Sequence, residues 1–381
     1  MKKIFIVSSK YFDFELNAIK IGGVQTYIKD LSSIFINRNM EVIIYQLDDQ
    51  EKETSINGVL IKSIFVKSYF GKNKYQILFD NIYSSEHIYI IATDQLDINA
   101  PFSNVISIQH GIAFDIPGNM LSKPWSFNAK LQFINKLIRN IKNVNRFDNS
   151  INTVCVDYNY YNWYKTLGTI KANHHISIIT NYSSTCISKE DFEKKVSQKK
   201  KEKKIIFARR FVDYRGTILF INAAKRILKM HEDIHITFAG EGPLKFAIVE
   251  AFQDNPNVTL TSFKSEDSVK FHYDFDIAVV PTLYSEGTSL SLCESMAAGC
   301  FPIATHVGGM TNMLINEFNG FLIYPDEDEL YKALSIAITI DSKKFNRILE
   351  NAYNTAITAF SKKRWEEEWF NEVKRLMHRQ I

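Results

Sequence analysis

The chain has 381 residues, 45% of them hydrophobic, and a formal net charge of +4 at pH 7. This length exceeds one ordinary hydrophobic core, so two domains are expected. The modest charge does not demand a nucleic-acid partner, and none is predicted. The four cysteines are scattered without C-x-x-C spacing, which indicates a reducing compartment and no structural zinc site.

In the first residues, MKKIFIVSSKYF, two lysines follow Met1 and precede an apolar run. That run, Ile4 to Val7, is too short for a secretion signal and predicts a first buried strand. The sequence contains no run of about eighteen apolar residues, so no transmembrane helix is expected. The predicted location is the cytoplasm, with the inner face of the cell membrane as the alternative.

The first half of the chain reads as buried strands joined by loops and helices. Predicted strands span residues 4–7, 41–47, 58–66, 87–93, 105–108, 152–156 and 176–179. Gly22 and Gly23 precede a helical pattern from Val24 to Phe35, and glycine at such a turn lets backbone approach a ligand closely. His110 follows the strand at 105–108, at the strand end where α/β sheets bind ligands.

The second half has the same alternation of strands and helices. Its predicted strands span residues 204–208, 234–239, 258–263, 276–280, 301–304 and 321–323, with helices at 217–230, 290–298 and 362–379. The polar, basic stretch from Lys189 to Lys204 is interpreted as an exposed segment leading into this half. An Asp274-Phe275-Asp276 triplet is not interpreted as a metal site, because Asp276 opens a strand.

The stretch from Pro281 to Gly320 carries most of the functional signal. It reads as strand, loop, helix and strand, with Glu286 in the loop and Glu294 inside the helix. Backbone amides of the residues that open this helix favour a phosphate group. Those residues are Thr288, Ser289 and Leu290. Carboxylates beside a phosphate pocket suit sugar and ribose hydroxyls, which donate hydrogen bonds to them.

Two arginines flank an earlier strand-to-helix loop. Arg210 and Arg215 stand five residues apart, between the strand at 204–208 and the helix that starts at Thr217. Cations in this arrangement can hold two phosphate groups. The alternative interpretation is a pair of ordinary surface arginines.

These motifs resemble family-4 retaining glycosyltransferases. The sequence follows the family's E-x7-E region closely, with Ser295 in place of alanine and Phe301-Pro302-Ile303 at the G/T-P-V positions. In the family's G-R-L-x-x-x-K-G pattern, Arg210 takes the arginine place, Arg215 takes the lysine place, and Arg209 stands where glycine is usual. The resemblance is strong over the second half and weak over the first.

The resemblance implies an α/β fold with two Rossmann-like parallel-sheet domains facing across a cleft, the GT-B fold. The implied domains are an acceptor-side domain at 1–181 and a nucleotide-sugar-binding domain at 182–360. A C-terminal helix, 361–381, would cross back to the first domain.

The resemblance also assigns roles to residues. Glu286 would bind hydroxyls of the transferred sugar, Glu294 the ribose diol, and His110 a further part of the sugar. Arg210, Arg215 and the amides at the helix start would stabilise the leaving diphosphate without a metal ion or cofactor. Weaker assignments place four further residues at the donor: Gly22 and Gly23 near the diphosphate, and Phe263 and Lys264 near the nucleobase.

The implied function is retaining transfer of a sugar from a UDP- or GDP-sugar to a hydroxyl of a saccharide acceptor. A lipid-linked acceptor and bacterial cell-surface polysaccharide synthesis are the expected setting. Two alternatives stay open: a catalytically idle nucleotide- or glycan-binding subunit, and another GT-B enzyme such as a nucleotide-sugar epimerase.

A basic amphipathic segment lies in the first half. Between residues 130 and 147, Leu131, Ile134, Ile138 and Ile141 can share one helical face among lysines and arginines. Such a helix can lie on an anionic membrane surface, or it can pack on its own domain.

Overall fold

The computed structural model describes residues 2–20, 22–67, 71, 73–111, 127–167, 174–198, 202–284 and 286–378. Contacts divide the chain into two compact units. The first unit comprises Met1–His110, Asn128–Ile179 and Glu366–Ile381, and the second comprises Gly111–Phe127 and Thr180–Trp365.

The first unit is built on an eight-stranded sheet. Its strands are β1 (Ile4–Val7), β4 (Val42–Asp48), β5 (Lys52–Ile56), β6 (Val59–Phe65), β7 (Ile88–Ile91), β8 (Val105–Gln109), β9 (Asn152–Cys155) and β10 (His175–Ile178). Two further strands, β2 (Phe12–Asp13) and β3 (Ala18–Ile19), form a separate two-stranded ribbon. The sheet order is β10-β9-β8-β7-β1-β4-β6-β5. All neighbours are parallel except β5, which pairs antiparallel with β6 at one edge.

The central strands of this sheet are continuous runs of buried apolar residues. All four residues of β1 and of β7 are buried, as expected for parallel strands covered on both faces. The helices of this part of the chain are α1 (Gly23–Ile36), α2 (Lys74–Ile82), α3 (Phe127–Asn145) and α4 (Tyr158–Leu167). In α1 the apolar residues recur at helical spacing and are buried, so one face covers the unit's core.

The second unit is built on a six-stranded, fully parallel sheet. Its strands are β11 (Lys203–Ala208), β12 (Ile234–Ala239), β13 (Val258–Thr261), β14 (Ile277–Val280), β15 (Phe301–Thr305) and β16 (Phe321–Ile323). Its helices, with the C-terminal one, are α5 (Lys189–Ser197), α6 (Thr217–Met230), α7 (Lys245–Phe252), α8 (Ser268–His272), α9 (Leu290–Ala297), α10 (Glu327–Thr339), α11 (Ser342–Ala359) and α12 (Lys362–His378). The core contains a phenylalanine cluster in which the rings of Phe207 and Phe220 stack at 5.2 Å.

Both sheets have the doubly wound strand order. The second sheet runs β13-β12-β11-β14-β15-β16, so its order reverses between β11 and β14. The first sheet reverses between β1 and β7. In doubly wound sheets the loops at the carboxyl ends of the strands beside such a reversal form the ligand crevice. The predicted fold class, α/β with two Rossmann-like parallel-sheet domains, is confirmed.

One prediction about the connection between the halves is wrong. Residues 189–197 of the supposed exposed segment form helix α5. Ser188 caps this helix by accepting a hydrogen bond from the Asp191 amide, and Phe192 is buried against the Tyr353 ring at 4.3 Å. The stretch therefore belongs to the folded second unit, because its few apolar residues fall on one helical face.

The C-terminal helix contributes to both units. Residues Lys362–Trp365 of α12 belong to the second unit, and the helix from Glu366 belongs to the first. Within the first unit, the Trp369 indole N–H donates to the Tyr27 hydroxyl at 2.6 Å. Across the described residues, none of the helices combines the length and the apolar character that a membrane span requires.

Candidate functional site

Glu286 lies at the reversal point of the second sheet. It follows β14, and its Oε2 atom accepts hydrogen bonds from three side chains. These are Arg209 Nη2 at 2.6 Å, Thr282 Oγ1 at 3.0 Å, and Arg215 Nη1. Arg209 comes directly after β11, and Arg215 ends the turn that follows. The sequence thus places one carboxylate and two guanidinium groups at a single crevice.

Glycines allow the loops around this cluster to touch. Gly216 follows Arg215 with a φ of 77°, and a Cβ there would lie 1.9 Å from the Pro281 carbonyl oxygen. Gly308 has a φ of 52°, and its Cβ would lie 1.8 Å from the Glu286 carbonyl oxygen. Any other residue at either position would force the loops apart. The glycines therefore hold Glu286 against the arginine loop.

The cluster is buried and strongly polarised. Burial alone would raise the pKa of Glu286, but the charges of Arg209 and Arg215 outweigh it and hold that pKa below its usual range. Burial lowers the pKa of Arg209, and the Glu286 charge opposes that effect. The side chain of Arg209 is only 5% exposed, whereas that of Arg215 is 24% exposed. Two cations share one anion, so the cluster carries a net positive charge.

The structure brings together Arg209, Arg215 and Glu286. The predicted site contained Arg210 in place of Arg209, yet Arg210 is exposed and Arg209 is the arginine bonded to Glu286. The roles predicted for Arg210 and Arg215 at the diphosphate stay predictions. Sequence reasoning did not assign Arg209 or Thr282 to the site. The only signal for Arg209 was that an arginine stands where the family pattern has glycine.

Helix α9 begins immediately after the Glu286 loop. Ser289 is its N-cap, and the Ser289 hydroxyl accepts from the Leu292 amide at 3.4 Å. Asn181 fixes the preceding residue, because its backbone amide donates to Thr288 Oγ1 at 2.8 Å and its side-chain amide donates to the Thr288 carbonyl at 2.6 Å. The Ser289 amide donates to the sulfur of Met313, a weak acceptor. Phosphate binding by the amides of Thr288, Ser289 and Leu290 stays a prediction.

Glu294 lies one turn inside α9 in a different environment. Its Oε2 atom accepts a hydrogen bond from Ser268 Oγ at 2.7 Å. Burial raises the pKa of Glu294 to about 7, and the Ser268 hydroxyl only partly offsets this shift. His272 lies beside Ser268, but burial lowers its pKa to about 4, so it supplies no positive charge at neutral pH. At neutral pH the Glu294 carboxyl is therefore present in both its protonated and its ionised form.

The two residues predicted near a nucleobase follow strand β13. The Phe263 ring stacks on Phe271 at 4.7 Å and meets the His272 ring edge-on at 5.9 Å. Lys264 is exposed and precedes a short 3-10 turn. Phe263 is thus anchored to the same α8 helix that holds Ser268, and contact of either residue with a base stays a prediction.

Three predicted site residues lie in the first unit. His110 follows β8, and its Nε2 atom lies 2.8 Å from the Ala92 carbonyl oxygen, beside the Tyr27 ring at 4.9 Å. Burial lowers the pKa of His110 to about 4, although the Ala92 carbonyl opposes the shift. The ring is therefore neutral at physiological pH. Gly22 is the N-cap of α1 and Gly23 its first residue. Donor contacts by these three residues stay predictions.

Helix α3 has an exposed apolar face. The described apolar side chains at five positions along it are 40–50% exposed. These are Leu131, Ile134, Leu137, Ile138 and Ile141. The segment 127–147 contains five basic residues and no acidic residue.

Comparison with known proteins relates the second unit to one family. Residues 188–355 match the family model described as Glycosyl transferases group 1. That segment contains the Arg209, Arg215 and Glu286 cluster and also Glu294.

Two relatives match parts of the chain. An uncharacterised glycosyltransferase of Methanocaldococcus jannaschii, MJ1607, is 28% identical over 141 residues, 36% of each chain. An Escherichia coli UDP-Gal:alpha-D-GlcNAc-diphosphoundecaprenol alpha-1,3-galactosyltransferase is 24% identical over 182 residues, 46% of each chain. The chain therefore aligns with less than half the length of these relatives.

Solved structures resemble the whole chain. The crystal structure of Anabaena HepE in complex with UDP matches with a TM-score of 0.69 at 15% identity, covering 98% of this chain and 100% of that one. This likeness shows the fold, which is the GT-B architecture that the family resemblance implies.

Proposed function

We propose that the protein is a glycosyltransferase that moves a sugar from a nucleoside-diphosphate sugar to a hydroxyl of a saccharide acceptor. One observation carries this proposal. The buried cluster of Arg209, Arg215 and Glu286 stands at the reversal point of the second sheet, inside the segment that matches the family. A positively charged crevice with a hydroxyl-accepting carboxylate suits a sugar joined to a diphosphate.

The donor would be held by groups of the second unit. Arg210 and Arg215, with the start of α9, would receive the diphosphate and take the role that a divalent metal ion has in other transferases. Glu286 would bind hydroxyls of the transferred sugar, and Glu294 the ribose diol. His110 is proposed as a further sugar contact.

The proposed reaction retains the configuration at the anomeric carbon. The bond from that carbon to the phosphate oxygen breaks, and the bond to the acceptor oxygen forms on the same face. The acceptor proton passes to the leaving phosphate, so no protein nucleophile is assigned. Stabilisation of the diphosphate charge and positioning of the acceptor supply most of the rate.

The donor and its turnover are tested together. Purified protein is incubated with UDP-glucose, UDP-galactose, UDP-GlcNAc and GDP-mannose, and binding and sugar release are measured. One of these nucleotide sugars is expected to bind wild type and to bind Glu294→Ala only weakly. Wild type is expected to release the sugar of that donor slowly. Binding without any sugar release or transfer would support the idle-subunit alternative, and conversion of one donor into another would support an epimerase.

We further propose that the acceptor is lipid-linked and belongs to bacterial cell-surface polysaccharide synthesis. The E. coli relative is named for a diphosphoundecaprenol acceptor. Helix α3 fits this setting, because its exposed apolar side chains and basic residues suit an anionic membrane surface.

The membrane contact is tested by sedimentation with vesicles of phosphatidylglycerol and phosphatidylcholine. Ile138→Asp is expected to lower the bound fraction several-fold, since it puts a charge on the apolar face. Ile336→Asp is the matched control, because Ile336 is 50% exposed on α10 in the other unit. Equal binding by wild type and Ile138→Asp would contradict the proposal.

A further inference from the structure

Arg209 is an unusual side chain at this crevice. It is 8% exposed as a residue, and it lies directly after β11 at the reversal point of the sheet. Its Nη2 atom donates to Glu286 at 2.6 Å. Its Nη1 atom is buried and has no hydrogen-bond partner among the described residues. Buried guanidinium donors are normally satisfied, so this one needs an acceptor that the described chain does not supply.

Glu286 has an oxygen atom that can accept a further hydrogen bond. Its Oε2 atom receives all three hydrogen bonds that reach the carboxylate from described side chains. The Oε1 atom receives none of them. The hydrogen-bonded pair of Arg209 and Glu286 thus offers one N–H donor without a partner and one carboxylate oxygen to which none of these three side chains donates.

The charges indicate what kind of group fits. Arg215 is the more exposed of the two arginines, so an incoming diphosphate would engage Arg215 first. Arg209 would then remain paired with Glu286, and that pair is neutral. A neutral pair with one donor and one acceptor matches a hydroxyl group, which accepts one hydrogen bond and donates another.

We propose that Arg209 contacts the transferred sugar of the donor and selects for one of its hydroxyls. Nη1 donates to the hydroxyl oxygen, and the hydroxyl donates to Oε1 of Glu286. The inference rests on the proposed function, because it assumes a nucleotide-sugar donor at this crevice. A donor whose sugar lacks that hydroxyl leaves the buried Nη1 atom of Arg209 unpaired and is disfavoured.

The test separates sugar contact from diphosphate contact. Affinities of wild type, Arg209→Gln and Arg209→Lys are measured by calorimetry for UDP, GDP and the preferred donor from the panel above. Arg209→Gln is expected to lose about 10- to 100-fold affinity for the donor, the range for one hydrogen bond to a charged group, while its affinity for the bare nucleotide stays within about twofold. Arg347→Gln, an exposed arginine on α11, is expected to change neither affinity.

Arg209→Lys distinguishes contact from structural support. Lysine keeps the charge beside Glu286 but lacks the second N–H of the guanidinium fork. Arg209→Lys is expected to have the thermal stability of wild type but the weakened donor affinity of Arg209→Gln. Wild type is also expected to discriminate against one monodeoxy analogue of the donor sugar, and Arg209→Gln to lose that discrimination.

Three outcomes overturn the proposal. An equal loss of affinity for the donor and the bare nucleotide in Arg209→Gln would make Arg209 a diphosphate ligand, and full restoration by Arg209→Lys would make its role one of charge alone. Either result leaves the proposed function standing. Failure of wild type to bind any nucleotide or donor overturns the proposed function and this inference together.

Discussion

Glu286 and Glu294 belong to one loop and helix and are eight residues apart, yet their surroundings differ. Glu286 is bonded by two arginines and a threonine, whereas Glu294 is bonded by the Ser268 hydroxyl. The pKa of Glu286 is held below its usual range by the arginines, despite burial. The pKa of Glu294 is raised by burial to about 7. Burial alone therefore does not decide the charge of a carboxyl group; the partners decide it.

The difference suits two separate tasks. A carboxylate that stays ionised accepts hydrogen bonds and fixes the arginines around it, which is the role proposed for Glu286. A carboxyl near its midpoint at neutral pH accepts from a hydroxyl and also tolerates loss of water when a ligand covers it. This is the role proposed for Glu294 at a ribose diol.

The largest expected effect comes from removing the Glu286 charge. Glu286→Gln leaves two guanidinium groups in the crevice without their anion, so the free energy of unfolding is expected to fall by about 3–5 kcal/mol. Urea unfolding measures this change. Glu329→Gln is the matched control, because Glu329 pairs with Lys332 at an exposed position and is expected to cost under about 1 kcal/mol. Similar losses in both variants would show that the arginine cluster is not a structural unit.

The second prediction concerns pH and Glu294. Its pKa is higher in the folded chain than the ordinary 4.5, so the folded state holds a proton that the unfolded state has lost. The free energy of unfolding is therefore expected to fall as pH rises from about 4.5 to about 7, by on the order of 3 kcal/mol. Glu286 has the opposite shift, so its contribution is lost only as pH falls through the acid range.

Glu294→Gln isolates the contribution of Glu294 to that slope. The variant lacks the titrating group, so its unfolding free energy is expected to change less than that of wild type between pH 5 and pH 8. It is also expected to be the more stable of the two at pH 8. Parallel curves for the two proteins would contradict the raised pKa.

The smallest effects compare the hydroxyl partners of the two carboxyls. Ser268→Ala removes the 2.7 Å hydrogen bond to Glu294, and about 1 kcal/mol of stability is expected to be lost. Thr282→Val removes one of three donors to Glu286, and the loss is expected to be smaller because both arginines remain. Thermal unfolding at pH 6 gives the comparison, and a larger loss for Thr282→Val would reverse the account of the two sites.

Much of the fold is predictable because its signals are local. The helix Thr217–Met230 and the strands Ile234–Ala239 and Phe321–Ile323 have the predicted bounds. The helix has its buried residues at helical spacing, and the strands are short, mainly apolar runs. Strand β5 was not predicted, because its KETSI sequence is polar and becomes a strand only by pairing with β6. Helix α5 was not predicted, because its sequence is mostly charged and has too few apolar residues to show a helical pattern.

The site is predictable only in part. The E-x7-E spacing and the glycines identify the crevice, because they can be read from residues close together in the sequence. The choice between Arg209 and Arg210 depends on which way each side chain leaves the end of β11, and adjacent residues of a strand point to opposite faces. The support of Glu294 by Ser268 and of Thr288 by Asn181 depends on contacts between residues 26 and 107 positions apart.

The most direct test of the account is the affinity of wild type and Arg215→Gln for UDP and GDP, measured by isothermal titration calorimetry. One nucleotide is expected to bind wild type, and Arg215→Gln is expected to weaken its binding by about 10- to 100-fold, because a charged hydrogen bond to phosphate is lost. Equal binding by the two proteins, or no binding of either nucleotide by wild type, would contradict a donor site at the Glu286 crevice.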